Sequence, residues 1–409
     1  MNFLYNLSIH FYEAGVKLVS FKNDKAAKMV AGQKLSMGIL NEKIKPGYRP
    51  IWIHVASLGE FEQGRPLIEK IKHNNPEQKI VLTFFSPSGY EIRKNYGEVD
   101  AVCYLPFDTP SKVSAFLDAV NPSMAIFVKY EFWGNYLEQL KARNIPTYII
   151  SAIFRESQAF FKMWGGMFRK MLGCFTHIFV QDENSRRLLG GIGFKNVDVC
   201  GDTRFDRVTD IMATTKAFPI VEQFTKDKFT LIIGSSWQPD EDIIIPYFNA
   251  HPEMRLIIAP HEFDEERVKA LQARITRKSV CYTETNEVEA ADADCLIINC
   301  FGILSSCYRY AQVAHIGGGF GVGIHNINEA AVYGMPVIFG PKYHKFKEAH
   351  DLIAAGGAFS VHNAQEFVGK MDKMLADKNY LTDCGNKARH YIESQLGATE
   401  HIYNKLFKK

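Results

Sequence analysis

The sequence lacks the features of a membrane-spanning, secreted or disulfide-bonded protein. No run of about eighteen consecutive apolar residues occurs, and the N-terminus does not combine a basic region, an uncharged apolar region and a small-residue cleavage site. The eight cysteines are scattered, and none forms a CxxC pair. We therefore expect a chain that stays in the cytoplasm, with reduced thiols and no structural zinc.

Motifs of several common enzyme classes are also missing. The chain contains no GxxxxGK[ST], HExxH or GxSxG motif, GxGxxG does not occur in register, and the 13 histidines show no metal-ligand spacing. A dinucleotide-dependent oxidoreductase is therefore disfavoured. We expect no cofactor, no bound metal ion and no nucleic-acid partner.

Charge is distributed unevenly along the chain. The 409 residues are 46% hydrophobic and 23% charged, with a net charge of +3, as in a globular protein with room for two domains. Residues 1–50 contain eight Lys or Arg against three acidic residues, whereas the rest of the chain contains 40 basic and 42 acidic ones. The basic excess therefore lies in the N-terminal segment.

This N-terminal segment also has the pattern of an amphipathic helix. Apolar and aromatic side chains recur over residues 3–21, and Lys22, Lys25, Lys28 and Lys34 follow. Such a helix either lies in the plane of an anionic membrane surface or packs on the protein with its lysines in solvent. The pattern alone does not separate these two interpretations.

Short apolar runs alternate with amphipathic segments from Pro50 onwards, which predicts parallel strands with helices on both faces of each sheet. The predicted strands are 51–55, 79–83, 101–105, 124–128, 147–151, 177–180, 198–200, 229–233, 254–258, 295–298, 313–316 and 336–339. The alternation weakens near residues 205–228, so we expect two α/β domains joined there. Ligands are expected at the carboxyl ends of the strands, in the cleft between the domains.

Glu60 follows the first predicted strand, after Ser57 and Gly59, at the start of a helix. A carboxylate at this edge of a sheet can accept a proton from an attacking hydroxyl group. Acidic residues are also common in the first turn of a helix because they complement its dipole. Both roles remain open on this motif alone.

Two further segments follow strands of the first domain. Ser88 precedes a helix and either caps it or donates to an anion. Lys129, Glu131 and Trp133 come directly after an apolar run. Two charges and an indole at that position indicate that these side chains line a pocket.

The second domain begins with a strand, a glycine turn and a helix start. Ser235, Ser236 and the nearby backbone N–H groups are placed to bind a phosphate there. Acidic residues follow in the first turn of this helix. The turn therefore predicts an anion site at the carboxyl end of the strand.

A glycine-rich segment at 317–323, which includes Gly319, precedes another helix start. Glycines allow the backbone to approach a ligand closely. Asn326 and Glu329 are three residues apart and lie on one face of the helix that follows. A carboxylate at this point can accept both hydrogen bonds of a ribose diol. The alternative, that the glycine-rich segment is a flexible surface loop, is the weaker interpretation.

The order of these motifs resembles that of the 3-deoxy-D-manno-octulosonic acid (Kdo) transferases of Gram-negative bacteria. The segments that carry the resemblance are 54–62, 131–135, 201–206, 234–236, 325–329 and 334–341. Each motif alone is weak evidence, but all of them occur in the family's order and extend over nearly the whole chain.

The resemblance implies a GT-B glycosyltransferase, an α/β protein with two Rossmann-like domains whose parallel sheets face each other across a cleft. Such an enzyme transfers Kdo from CMP-Kdo to a lipid A precursor (lipid IVA), with inversion and without a metal ion. It works at the cytoplasmic face of the inner membrane in lipopolysaccharide biosynthesis. The family's catalytic base maps onto Glu60.

The family's CMP-binding residues map onto Ser235, Ser236, Asn326 and Glu329, and we place Gly319 and His261 in the same donor-binding set. The acceptor-binding set is expected to contain Ser88, Lys129, Glu131 and Trp133. No metal ligand is expected.

The sequence departs from the family pattern at three positions. Lys129 stands where the family commonly has a glutamate, and Arg204 stands where it has a lysine. The family's Pro-Arg-His turn reads Pro-His-Glu from Pro260, so the turn has no arginine to bind the donor. We expect His261 or Lys345 to take its place.

The expected organisation is a membrane-associating segment at 1–45, an acceptor-binding domain at 46–210 and a CMP-sugar-binding domain at 211–409. The expected partners are CMP-Kdo, the lipid A precursor and the inner membrane surface, on which the protein is peripheral or N-terminally anchored. Two other functions remain open. One is a different GT-B nucleotide-sugar enzyme, such as a UDP-sugar transferase or epimerase, and the other is a membrane-surface scaffold without activity.

Overall fold

The computed structural model describes residues 3–213 and 217–408. The chain divides into unit 1, which comprises Met1–Arg207 and Gly397–Lys409, and unit 2, which comprises Val208–Leu396. The strands are β1 (Ile51–Val55), β2 (Ile80–Phe84), β3 (Ala101–Tyr104), β4 (Met124–Val128), β5 (Thr147–Ala152), β6 (His177–Val180), β7 (Val197–Val199), β8 (Phe229–Ser236), β9 (Met254–Pro260), β10 (Ser279–Cys281), β11 (Cys295–Ile297), β12 (Val313–Ile316), β13 (Val337–Phe339) and β14 (Ala358–Ser360).

Helices follow most of these strands. They are α1 (Phe3–Val19), α2 (Asp24–Lys43), α3 (Leu58–Asn74), α4 (Pro87–Arg93), α5 (Pro110–Val120), α6 (Gly134–Ala142), α7 (Gly166–Leu172), α8 (Glu183–Gly191), α9 (Arg204–Ala213), α10 (Pro219–Thr225), α11 (Gln238–Ala250), α12 (Glu265–Gln272), α13 (Glu287–Ala291), α14 (Leu304–Cys307), α15 (Asn328–Ala331), α16 (Lys347–Ala355), α17 (Ala364–Ala376), α18 (Lys378–Ser394) and α19 (Ala398–Phe407).

Each unit contains one sheet of seven parallel strands. The order is β3-β2-β1-β4-β5-β6-β7 in unit 1 and β10-β11-β9-β8-β12-β13-β14 in unit 2. Alternate residues of β1 enter two different clusters of buried side chains, with Trp52 in one and Ile51 and Ile53 in the other. Both faces of this sheet are therefore covered, which explains why its strands are apolar throughout.

The predicted α/β class with two parallel sheets is confirmed, and most predicted strands lie within a residue or two of the observed ones. Two three-residue strands at the sheet edges, β10 and β14, were not predicted from the sequence. The predicted linker at 205–228 contains α9 and α10, and its residues 214–216 lie outside the described residues.

The expected domain boundaries need correction at both ends of the chain. Residues 1–45 are not a separate segment, because α1 and α2 belong to unit 1, and Gly32 of α2 lies so close to the Tyr104 ring that a Cβ there would be 2.2 Å from it. Residues 397–409 were expected in the second domain but pack in unit 1. The backbone N–H groups of Gly397 and Thr399 each donate to the Asp206 carboxylate, at 2.7 Å.

One face of α1 packs on unit 1 and the other is apolar and exposed. Tyr5 and Val16 pack against the clusters of buried side chains, whereas Leu4, Phe11 and Leu18 are 69–74% exposed. The helix therefore packs on the protein and also presents an exposed apolar stripe, and its association with a membrane surface stays a prediction. Among the described residues, no helix is both long enough and apolar enough to cross a membrane.

Asp108, in the loop after β3, joins α1 to the start of α6. One carboxylate oxygen accepts hydrogen bonds from the Tyr5 hydroxyl (2.6 Å) and the Asn135 N–H (3.1 Å), and the other accepts from the Tyr136 N–H (3.0 Å). The Gly134 N–H donates in turn to Tyr5 Oη, at 2.9 Å. The loop and α1 thus satisfy three N–H groups that a helix start leaves without partners.

Burial raises the pKa of Asp108 to about 6, although the bonds from Tyr5 and from the two backbone N–H groups oppose this shift. Because the folded chain binds this proton more tightly than the unfolded chain, the stabilisation is complete below about pH 4. It is lost as the pH rises through about 6, by roughly 3 kcal/mol.

We expect this dependence in urea unfolding of the wild-type chain and of Asp108→Asn, measured between pH 4 and pH 7. The variant has no titrating group at this position, so the wild-type advantage in unfolding free energy should decrease as the pH rises. An advantage that is constant over this range would show that Asp108 does not titrate as described.

Candidate active site

Glu60 lies in the first turn of α3, directly after the carboxyl end of β1. Its Oε2 accepts hydrogen bonds from the Ser57 N–H (2.9 Å) and the Ser57 hydroxyl (3.0 Å). The structure therefore gives Glu60 a capping role at the helix start, in addition to the dipole effect considered from the sequence. This cap occupies only one oxygen of the carboxylate, because no hydrogen bond to Oε1 is found among the described residues. The other oxygen remains available to accept a proton.

Two charged neighbours influence the proton affinity of Glu60. Burial and the negative charge of Glu131 raise the pKa of this carboxyl group, and the Ser57 bonds and Lys129 partly offset the increase. A carboxylate with a raised pKa is a stronger base near neutral pH than an ordinary one. The electrostatic environment therefore suits Glu60 to proton transfer.

Glu131 is held by two side chains at the carboxyl end of the sheet. Its Oε2 lies 2.9 Å from His54 Nε2 and accepts a hydrogen bond from the Trp133 indole N–H at 2.6 Å. His54 Nδ1 lies 2.9 Å from Thr83 Oγ1, which also accepts from the Trp52 indole at 2.8 Å. This chain of buried partners fixes the negative charge that acts on Glu60.

Lys129 adopts a left-handed backbone conformation, with φ of 69°, immediately after β4. Such conformations are uncommon for residues other than glycine and often occur at functional sites. The Lys129 N–H still donates to Ile150 O of the neighbouring strand, at 2.9 Å. The change of direction therefore takes place where the strand ends.

The structure brings three of the four predicted acceptor-side residues into one group with Glu60. Glu131 and Lys129 act on it electrostatically, and Trp133 binds Glu131. Ser88 is exposed in the first turn of α4, and its hydroxyl lies 3.0 Å from that of Ser86. No described hydrogen bond connects Ser88 to the other three.

His54 was missed as part of this group. The first sequence motif includes His54 but indicates no role for it. The signal that identifies it is the parallel register of β1 with β4, in which His54 lies opposite Phe127. Adjacent strands in this register end together, so residues that follow one strand lie beside the last residues of the other.

In unit 2, three predicted donor-side residues line one pocket. The pocket has a volume of about 290 Å³, and Ser235, His261 and Glu329 are in its wall together with Cys300, Phe301 and Ser305. Ser235 lies in β8 with φ of 52°, and His261 follows β9 directly. Neighbouring strands and the start of α15 thus bring these residues together.

Ser236 is fully buried and its hydroxyl has a partner inside the protein. It donates to Glu241 Oε1 at 2.8 Å, and Arg267 and Arg274 bind the same carboxylate. Asp240 accepts hydrogen bonds from the N–H groups of Trp237 and Gly318, each at 3.0 Å. The Ser236 hydroxyl and the Trp237 N–H, which the sequence suggested as phosphate donors, therefore hold the turn instead. The Gly318 N–H holds the glycine-rich loop.

Gly319 and Asn326 also have structural contacts. A Cβ on Gly319 would lie 2.5 Å from the backbone nitrogen of Gly340, so only glycine fits between these two loops. The Asn326 side chain donates to Glu329 Oε1 at 3.0 Å and accepts from the Asn328 N–H at 3.2 Å. Asn326 therefore acts on the pocket wall through Glu329, and Gly319 lets the glycine-rich loop pack against Gly340.

His261 belongs to a group of three adjacent rings that no sequence pattern indicated. The Trp237 and His261 rings are stacked with centroids 4.6 Å apart, and His325 lies 4.8 Å from His261. Burial and then the neighbouring His261 lower the pKa of His325. Of the two candidates for the missing arginine, His261 lines the pocket, whereas Lys345 is exposed and does not.

Arg204, which stands where the family has a lysine, binds the buried Asp202 through Nε (3.0 Å) and Nη2 (2.7 Å). Burial alone would raise the pKa of Asp202, but Arg204 and its other partners keep it below the usual value.

In the part of the chain that the structure describes, no group of three or more His, Cys, Asp or Glu side chains is arranged to hold a metal ion.

Comparison with known proteins gives consistent matches to Kdo transferases. Residues 29–207 match the family model described as 3-deoxy-D-manno-octulosonic-acid transferase (kdotransferase). The 3-deoxy-D-manno-octulosonic acid transferase of Aquifex aeolicus is 27% identical over 83% of this chain and 90% of its own. That of Haemophilus influenzae is 24% identical over 96% of this chain and 93% of its own.

The chain is similar to Kdo transferases over most of its length. The resemblance read from its motifs is confirmed, and the relatives extend over most of the chain, beyond the segment that the family model matches. A crystal structure of a putative UDP-N-acetylglucosamine 2-epimerase from Listeria monocytogenes covers 89% of this chain and 98% of its own, with a TM-score of 0.58 and 13% identity. At that identity the similarity shows the GT-B fold and no activity.

If Glu131 and Lys129 act on Glu60 as described, opposite shifts of the Glu60 pKa are expected in two variants. Glu131→Gln should lower the pKa of the Glu60 carboxyl group, because a negative neighbour is lost. Lys129→Met should raise it, because a positive neighbour is lost. Glu62→Gln, on the same helix, is the control and should have no effect.

These shifts can be measured by NMR titration of the ¹³C-labelled glutamate carboxyl groups. Shifts of the same sign in both variants, or a wild-type midpoint equal to that of exposed glutamates, would refute the electrostatic description.

Proposed function

We propose that the chain transfers Kdo from CMP-Kdo to a lipid A precursor such as lipid IVA, with inversion at the anomeric carbon and without a metal ion on the nucleotide. The observation that carries this proposal is a half-buried glutamate with a raised pKa at the carboxyl edge of a sheet, within the segment that matches the Kdo transferase family. Its reaction belongs to lipopolysaccharide biosynthesis.

Glu60 acts as the general base in this proposal. Ser57 holds Oε2, and Oε1 accepts the proton of the attacking sugar hydroxyl. The bond from that hydroxyl oxygen to the anomeric carbon of Kdo forms as the bond to the CMP phosphate oxygen breaks, so CMP leaves with the electron pair. Because the nucleophile attacks from the side opposite to CMP, the configuration inverts.

The acceptor contacts Lys129, Glu131 and Trp133, with Ser88 as a further donor. Lys129 contributes a positive charge that suits a phosphorylated lipid, and its strained backbone is held at the end of β4. Glu131 has one oxygen bound by Trp133 and His54. The family's usual glutamate is replaced by Lys129, so this chain presents one more positive charge to its acceptor.

Unit 2 binds the CMP portion of the donor. Ser235, His261 and Glu329 line the pocket of about 290 Å³. Glu329 accepts hydrogen bonds from the ribose hydroxyls. His261 takes the place of the family's arginine beside the donor's anionic groups. Ser236, Gly319 and Asn326 support this site by holding its walls.

The protein works at the cytoplasmic face of the inner membrane and is held there at its N-terminus. The support is the exposed apolar stripe of α1 and the basic excess of residues 1–50. Apolar side chains that enter the lipid interface, with lysines beside them, bind anionic membranes. This location places the enzyme where a lipid-embedded acceptor is found.

A second GT-B activity, on a UDP-sugar, is the alternative, and the similarity to the epimerase structure concerns the fold alone. Nucleotide choice separates the two: stabilisation against heat by CMP and not by UDP favours Kdo transfer, and the reverse favours the alternative. A scaffold without activity would transfer no sugar under any condition.

Loss of the Glu60 carboxylate should slow transfer strongly. We expect purified protein, supplied with CMP-Kdo generated in situ, lipid IVA and a chelator, to give a lipid with one or more Kdo mass increments. Glu60→Gln should lower the rate about 100-fold or more, because removal of a general base costs this order of rate. Mass spectrometry of the lipid gives the readout.

Glu62→Gln is the matched control, because Glu62 lies on the same helix but pairs with Arg93 at 3.1 Å instead of facing Glu131. It should retain wild-type transfer. Full activity of Glu60→Gln would exclude Glu60 as the base, and absence of any Kdo increment with folded wild-type protein would contradict the assignment.

A further inference from the structure

A second pocket lies within unit 1, between α1, α2, α5 and the loop after β3. Its volume is about 250 Å³, just below the range of sites that enclose a whole drug-sized molecule. Its walls are mainly apolar, and the residues that form them are Val30, Met37, Pro106, Phe107 and Ala115. The pocket suits a slender apolar group better than a nucleotide or a sugar.

The edge of this pocket is positively charged. Lys17 and Lys112 both bind Oε1 of the buried Glu13, at 2.6 and 2.5 Å, and Lys34 lines the pocket as well. Burial alone would raise the pKa of Glu13, but Lys112 and Lys17 lower it, so the carboxylate is ionised. Three lysines against one carboxylate leave a net positive charge that attracts an anion.

An amide donor in the same pocket lacks a partner. Gln33 lines the pocket, and its Nε2 is buried without a hydrogen bond in the part of the chain that the structure describes. Buried donors are rarely left unpaired, because each loses its bonds to water without replacement. An oxygen atom of a ligand would satisfy this group.

Aromatic contacts connect the pocket with the Glu60 end of the sheet. The Phe107 ring lies 6.0 Å from that of Tyr12 and 6.4 Å from that of Phe85, and Phe85 packs on Trp133 at 4.6 Å. Trp133 in turn donates to Glu131. The pocket is thus separated from the proposed acceptor group by a layer of rings.

We propose that this pocket binds a single alkyl or acyl chain that carries an adjacent anionic group, a phosphate or a carboxylate. The alkyl or acyl chain of the ligand lies against the apolar walls, and its anionic group lies beside the lysines. One oxygen atom of the ligand accepts a hydrogen bond from the Gln33 amide. Both the acceptor lipid and a membrane phospholipid have this chemistry. Assignment of the chain to the acceptor rests on the proposed function, whereas binding of the amphiphile does not.

Binding is tested by calorimetric titration of the full chain with monododecyl phosphate below its micelle concentration. We expect saturable binding, with dodecyl maltoside about tenfold weaker because it lacks the anion. Inorganic phosphate should not bind measurably because it lacks the chain. Equal affinity for the neutral detergent, or for inorganic phosphate, would overturn the proposal.

Ala115→Phe introduces a ring at an exposed helix position in the wall of the pocket and should weaken dodecyl phosphate binding about tenfold. Ala142→Phe makes the same exchange at an exposed position of α6 that does not line the pocket, and should bind as wild type. Unchanged binding by Ala115→Phe would overturn the proposal.

A second variant tests the charge without a change of volume. Lys34→Gln should weaken binding of dodecyl phosphate and leave that of dodecyl maltoside unchanged, with the exposed Lys28→Gln as its control. Equal loss for both detergents would contradict the role assigned to the lysine.

Kinetics then distinguish the two sources of the chain. If it is the acceptor's, Ala115→Phe raises KM for lipid IVA at unchanged kcat and does not affect a de-acylated acceptor. If it is a membrane phospholipid, transfer kinetics stay the same and the variant binds phosphatidylglycerol vesicles more weakly. If Ala115→Phe changes neither the KM for lipid IVA nor the binding of phosphatidylglycerol vesicles, the proposal is overturned. Absence of transfer by the wild type would refute the proposed function but leave the binding result valid.

Discussion

The two hydrogen bonds from Ser57 to one oxygen of Glu60 are the interaction on which the proposed chemistry depends. They fix the carboxylate at the carboxyl end of β1 and leave Oε1 for a proton. A cap bond lowers the pKa of a carboxylate, but here burial and the nearby Glu131 outweigh it. One residue can therefore stabilise a helix start and retain the basicity that catalysis requires.

In unit 2, several donors that were expected to bind a phosphate instead hold parts of the protein together. Asp240 takes the backbone donors of Trp237 and Gly318, and Glu241 takes the hydroxyl of Ser236. The bond from Gly318 holds the glycine-rich loop beside the start of α11, and the bond from Ser236 holds the turn next to Ser235, which lines the pocket. In the proposed function, such preorganisation reduces the cost of binding the nucleotide.

Much of this arrangement could be predicted from the sequence. Continuous apolar runs revealed the strands, and the rule that ligands bind at their carboxyl ends led to Glu60, Glu131 and Ser235. The burial of Ser236 and the link from Tyr5 to Asp108 could not be predicted, because they depend on partners 5 and 103 residues away whose side-chain directions no local pattern encodes. The placement of 397–409 in unit 1 depends on Asp206 for the same reason.

The central claim is that Glu60 assists a single displacement of CMP by an acceptor hydroxyl. The most direct measurement is the anomeric configuration of Kdo in the lipid product, determined by NMR and compared with that of CMP-Kdo. A single displacement gives the opposite configuration in the product. Retention of the donor's configuration would require two displacements and a nucleophile in place of a base, and would contradict the role given to Glu60.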